Sequence, residues 1–432
     1  MALALVSTLT AKAEAGYRSF FVEVNRLPCV VFQPIKTAAK SQIGIVVMHS
    51  DENYMDFPGN AELSKRGYTV IATEPSKGGD MGPKLLNIKA CVEYLRNKLK
   101  MRKVLLLGHS GGATVMTAYQ LIAENGTQIL NSKLFNDYKE DLSNLPKADG
   151  MLLLDANYGN AVMALLSLDP NIKGRGTGTN IADTYDLADP KVGYVAGKSS
   201  SYTEQFKSAF NRAQRDRLCA LMDDAYARYS AIKKGNGAFV DDEPFIVAGA
   251  NQMRPFNKLF AQDLSLLEHT KKAWPLVHGD GTVTKEIVHT MRAPMAPDAK
   301  SNTMLATEKT TVRGFLSTNA IKVNENFRVR EDGIDGVDWT SNINNGIGNA
   351  EGIHVPTLLM GMTGSWEYLA AEMIYDHLAS TDKSLGFVEG ASHMFFPDRD
   401  AEQYRGKKFG DTTKALFDYV DKWISMKGRF IK

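Results

Sequence analysis

Cysteine is almost absent. Only Cys29, Cys91 and Cys219 occur in 432 residues, far apart and without the spacing of a thiolate metal site, and their odd number leaves at least one thiol free if any disulfide forms. All three are expected to be packed and reduced. Also missing is any apolar run near the ~18 residues that span a bilayer, so no membrane partner is expected. There is no charge surplus either: 51 basic against 49 acidic residues leave a formal +2. Spread along the chain, that balance gives no electrostatic footprint for nucleic acid. A small-molecule substrate is the partner left, and homo-oligomerisation stays open.

Residues 1–15 carry small side chains where a signal peptidase could cut. They lack a basic leading segment, however, and Ser7, Thr8 and Thr10 interrupt the apolar stretch, which argues against a secretory signal. A short helix or tail is expected there, and the cytoplasm is the expected compartment, with secretion or a periplasm as the alternative.

What the chain does have is length and 44% apolar residues, enough for one large α/β domain carrying an insertion. Segments 19–25 and 29–33 predict an opening hairpin turning at 26–28. The continuous apolar run 43–48 predicts a strand covered on both faces, followed by a helix near 59–66 and a strand at 68–73. Leu85, Ile88, Val92, Leu95 and Leu99 recur at helical steps. Further strands are expected at 103–107 and 150–154. After Asn157 the alternation lapses for nearly two hundred residues, with a helix through Leu218, Leu221, Met222, Tyr226 and Tyr229. It returns with a strand at 355–360, a helix at 366–378, a strand at 385–388 and a final helix through Leu416, Val420 and Trp423. The reading is a core in two parts, 1–165 and 349–432, around an insertion at 166–348, with glycine-rich 345–352 as the hinge between them.

The chemistry concentrates at Gly108-His109-Ser110-Gly111-Gly112, between an apolar strand and a helical segment from Ala113. Strand, sharp turn and helix lift a serine hydroxyl clear of the sheet, and glycines remove the Cβ atoms that would clash in so tight a bend. Serine needs a general base. His393, in Gly390-Ala391-Ser392-His393-Met394, follows the last strand and is the best placed of eight histidines. A carboxylate should fix its tautomer: Glu367 is the first choice, separated from it by one helix and one strand, and Asp155, at the end of a strand, is the alternative. The Gly111 amide, at a helix start, should meet the oxyanion, with a second donor from Ser50 or Asp51 in the loop after Met48. Tyr54, His109 and Trp366 are expected to contact substrate, though Tyr54 also reads as an ordinary loop aromatic. No metal cluster or nucleotide-phosphate loop stands out, so no cofactor and no metal are expected.

With these residues in this order, the chain resembles the α/β-hydrolase superfamily over roughly residues 18–165 and 350–430. The resemblance implies a mostly parallel central sheet with helices on both faces, a large inserted cap over residues 165–345, and a selective pocket beneath it. It departs from the superfamily's pattern at His49-Ser50, where many members have His-Gly, and at Glu367, where aspartate is commoner. The expected activity is hydrolysis of a carboxylic ester of a small to medium, largely apolar substrate through an acyl-enzyme on Ser110. Carbon–carbon bond hydrolysis or acyl transfer by the same residues is the alternative, and a non-catalytic binding protein a more distant one.

Overall fold

The computed structural model describes residues 16–77, 80–172, 184–250, 258–295 and 307–431. Its first part runs β1 (Tyr17–Val24), β2 (Leu27–Pro34), β3 (Ile43–Val47), α1 (Pro58–Lys65), β4 (Thr69–Thr73), α2 (Met81–Glu93), β5 (Lys103–Ser110), α3 (Gly112–Asn125), β6 (Gly150–Ala156) and α4 (Asn160–Ser167). The middle holds α5 (Glu204–Lys233), β7 (Pro244–Val247), α6 (Leu259–Gln262), β8 (His269–Val277), β9 (Val283–His289), β10 (Glu308–Thr311), α7 (Val312–Thr318), β11 (Lys322–Arg330), β12 (Gly333–Asp338) and α8 (Gly346–Ala350). The last part is β13 (Thr357–Met362), α9 (Ala370–His377), β14 (Lys383–Val388), α10 (Arg399–Arg405) and α11 (Thr412–Ile424).

Strands β3, β4, β6 and β13 are buried at every position, which is what continuous apolar runs produce when helices cover both faces of a sheet. Side chains alternate between two cores. Val46, Leu106, Met151, Leu153 and Leu359 point to the side of α2, α3 and α9. Ile45, Leu105, Leu107, Leu152 and Leu358 point to the side of α1 and α11. The sheet order is β1-β2-β4-β3-β5-β6-β13-β14-β8-β9. It is antiparallel from β1 to β4, parallel from β4 through β8, and antiparallel again at β9. This crossover order, with the β5–α3 turn at its centre, is the α/β-hydrolase fold.

Four expectations need correction. The first hairpin turns at Asn25 and Arg26, both with positive φ (51° and 66°), one position earlier than expected, because two left-handed residues suit the twist of a tight hairpin. The insertion is not purely a cap. Helix α5, with Thr203 capping its start, the β7–β10 pair and the β11–β12 hairpin lie apart from the main sheet, but β8 pairs in parallel with β14 and carries β9 outside it. That hairpin covers a backbone edge that would otherwise be open. Nor is 345–352 a loose hinge. It holds the wholly buried α8, capped by Asn345 on the Gly348 amide, and a Cβ at Gly346 would already press on Ile374 at 3.2 Å. Finally, Cys29 and Cys91 are buried as expected, with sulfurs 4.0 Å apart, but Cys219 is exposed. Residues 1–15, for which the sequence predicts a short helix or tail, lie outside the described residues. Among the described residues no helix is long and apolar enough to cross a membrane.

Candidate active site

Strand β5 ends at Ser110 with φ +54°, a left-handed backbone that a serine adopts only when its surroundings impose it. The tight bend needs bare neighbours. A Cβ at Gly108 would sit 2.5 Å from the Ala113 Cα, and one at Gly112 would sit 2.6 Å from the Met48 carbonyl oxygen. Ser110 therefore stands at the mouth of β5, opening into a cavity of about 1420 Å³.

His393 lines the same cavity. After β14 the chain turns at Gly390 (φ +63°), where any side chain would collide with the Phe409 ring. The following loop is tied down by Gly390 N–H to Thr363 Oγ1 (2.8 Å), Gly364 N–H to the Ala391 carbonyl (2.8 Å) and Ser392 N–H to the Phe396 carbonyl (2.7 Å). The imidazole is one-third exposed.

Its Nδ1 is 2.6 Å from Asp155 Oδ2. Asp155 is fully buried, and its other oxygen accepts the Met362 amide at 2.9 Å. The residue bulges from β6 with φ +45°, and the pairing with β5 skips it: His109 faces Leu154 and Ser110 faces Ala156. A bulge of this kind re-aims one side chain. Glu367, the first choice from sequence, comes to 3.3 Å from the same Nδ1, but its Oε2 is buried with no hydrogen-bond partner. The hydrogen bond to the imidazole thus belongs to Asp155, and Glu367 stands behind it as a second carboxyl. Burial, and then the Asp155 charge, push Glu367 up to about 7 against the pull of His393. For His393 burial acts downward, but Glu367 and Asp155 together outweigh it and hold the ring at about 9. The ligand atoms of Asp155, Glu367 and His393 lie within 4.8 Å of one another, so the same three groups could also hold a metal ion.

The loop after β3 differs from expectation. The Asp51 amide, one of the two expected oxyanion donors, is spent on His49 Nδ1 (3.1 Å), which also accepts the Glu52 amide (3.0 Å). The Ser50 hydroxyl donates to Asp51 Oδ2 (2.5 Å). Ser50 is nevertheless beside Gly111, whose Cβ, if it had one, would collide with Ser50 Oγ.

Tyr54 and His109 are also not free for substrate. Since His109 Nε2 lies 2.7 Å from the His393 carbonyl, that nitrogen donates, and Nδ1 then accepts the Tyr54 hydroxyl at 2.6 Å. His109 is sealed among Phe57 and Phe395, with ring centroids 5.1 and 5.0 Å away. Burial, then the nearby His393, holds it well below the usual imidazole range. The pair is a strut carrying the His393 loop, and the Tyr54 hydroxyl is engaged there although the residue lines the cavity. Trp366 does line the cavity, edge-on to Phe260.

Sequence reasoning missed the charged part of the cavity lining. Lys84, buried in α2, pairs with Asp51 at 3.3 Å. Glu308, which also lines the cavity, is pushed up to about 7 by burial and by the Asp51 charge, against Lys84. Lys84 sits among the apolar steps of an amphipathic helix, so a charged residue on that face was the signal to follow.

No family model and no curated relative matches the chain. Among solved structures it is similar in outline to a siderophore hydrolase from Aspergillus fumigatus (10% identity, 96% of this chain and 99% of that one, TM-score 0.41). Others are a hypothetical protein from Pseudomonas aeruginosa (12%, 97% and 98%, 0.40) and a hormone-sensitive lipase from a metagenome library (11%, 95% and 86%, 0.40). Likeness at this level carries no information about activity.

Proposed function

We propose that the chain is a serine hydrolase of carboxylic esters that works through an acyl-enzyme on Ser110. The observation that carries the reading is the convergence on one cavity of a serine in a strained strand-to-helix turn and a histidine whose far nitrogen is held by a buried aspartate. With Nδ1–H donated to Asp155, the proton-accepting nitrogen of neutral His393 is Nε2. Ser110 Oγ attacks the ester carbonyl carbon while its proton passes to Nε2. The Gly111 amide, at the start of the fourteen-residue α3, faces the developing oxyanion with the helix dipole behind it. His393 then returns the proton to the leaving alcohol, and a water molecule activated by the same nitrogen cleaves the acyl-serine.

The cavity lining mixes Trp366, Met163 and Met295 with Lys84, Asp51 and Glu308. Its size and this charged wall support a medium-sized ester bearing polar groups, in place of the largely apolar one expected from sequence. A fluorophosphonate probe is expected to label wild type at Ser110, and Ser110→Ala to lose both labelling and ester turnover. In ¹⁸O-water the released acid should carry one solvent oxygen. A folded wild type that neither labels nor turns over short esters would overturn the reading.

A further inference from the structure

Three polar atoms crowd the spot where a Cβ of residue 111 would stand: Ser50 Oγ, Asn160 Oδ1 at 3.2 Å and His49 Nε2 at 3.3 Å. This spot is one bond from the Gly111 Cα, hence beside the amide that the hydrolase reading aims at the oxyanion. An oxyanion binds only donors. The Ser50 proton is committed to Asp51 Oδ2, and Asn160 presents its carbonyl oxygen. His49 is different. Its Nδ1 accepts two backbone N–H groups, from Asp51 and Glu52, so in the neutral ring the proton must sit on Nε2. That Nε2–H has no acceptor among the described residues, and His49 lines the cavity together with Ser110 and Gly111.

We propose that the second oxyanion donor is the Nε2–H of His49, a side chain, in place of the Asp51 amide, which is already bonded to His49 Nδ1. The inference rests on the serine-hydrolase reading and deepens it. Two further observations fit. The ring is clamped, stacked on Tyr54 at 4.8 Å and 17°, so the donor costs no reorganisation when charge develops. It is also neutral over the working range: burial outweighs the Asp51 charge and, with His393 and Lys84, brings it down to about 4. A neutral imidazole is a known electrophilic partner for a developing oxyanion, because it donates without being consumed as an acid.

The two functions of the ring can be separated. In His49→Asn the amide oxygen can take the place of Nδ1 and keep the loop fastened, while the donor at the Nε2 position is lost. With p-nitrophenyl acetate, this variant is expected to lose roughly 10²–10³-fold in kcat, the usual consequence of deleting one oxyanion donor, with KM and melting temperature close to wild type. Fluorophosphonate labelling of Ser110 should slow in parallel. A kcat within about threefold of wild type would overturn the proposal, because one lost donor predicts far more. If the variant does not fold, the wild type decides. In ¹⁵N-histidine-labelled protein, an alkyl boronic acid adduct on Ser110 should move the His49 Nε2–H resonance downfield. An unmoved resonance in a formed adduct would overturn the proposal equally. Failure of wild type to label at all would instead remove the hydrolase reading itself.

Discussion

Asp155 Oδ2 lies 2.6 Å from His393 Nδ1, whereas the nearest oxygen of Glu367 lies 3.3 Å from the same atom. Asp155 reaches this place from the end of β6, and its second oxygen is fixed by the Met362 amide. Its direction is therefore set from both sides. Glu367 has the charge but not the aim. Asp155→Asn is expected to lower kcat by roughly 10³–10⁴-fold, the loss seen when a triad carboxylate is neutralised. Glu367→Gln should lose far less. Steady-state rates on one short ester compare the two directly, and the reverse ranking would restore Glu367 to the orienting role.

Two carboxyls around one imidazole should displace the pH profile. In the proposed mechanism the general base is neutral His393, so activity is expected to fall as pH drops through the pKa of the ring. Burial alone would lower that pKa, but Glu367 and Asp155 raise it to about 9. The rate kcat/KM is thus expected to climb between pH 7 and 9 and level off above. Glu367→Gln removes one of the two raising charges, so its inflection should move to lower pH. A wild-type inflection at the ordinary imidazole value near 6.5 would contradict this.

Gly111 has no room to become alanine. The added methyl would enter the space of Ser50 Oγ and press on Asn160 and His49. Overpacking of this kind typically destabilises by ~1–3 kcal/mol, and a shift of the oxyanion site by an ångström can lower the rate roughly 10²-fold. Gly111→Ala should accordingly fold with a lowered melting temperature and turn over poorly. A fully active variant would place the oxyanion elsewhere.

Tyr54→Phe tests the strut beneath His393. It strands the fully buried Nδ1 of His109 without its donor, and an orphaned buried acceptor costs about 1–3 kcal/mol. Urea melts should register that loss while KM moves little, because the phenol does not face the substrate. A large KM effect with unchanged stability would return Tyr54 to the binding residues.

The sheet was largely readable because its strands are apolar at successive positions, and the β5–α3 turn because glycine is required on both sides of Ser110. The acid was not. Spacing put Glu367 one helix and one strand before His393, which fits, and only the bulge at Asp155 decides between them. That bulge follows from sheet packing and leaves no mark in residue preference. His49 was passed over because its tautomer depends on two backbone amides that sequence does not orient. The β8–β9 hairpin was unrecognised because most of its side chains face solvent; at the rim of a sheet neither the alternation nor the continuous apolar run develops.

That rim hairpin constrains how the chain can be built up on the ribosome. In the finished sheet β13 and β14 lie between β6 and β8, yet they are translated after β8 and β9. Until about residue 388 has emerged, the hairpin is an isolated two-stranded ribbon, which is marginal in water, and the growing sheet has a gap two strands wide. Nascent chains cut short before that point should expose both borders of the gap and aggregate. No such fragment brings position 155 next to position 393, so the proposed catalytic pair is assembled in a single late step.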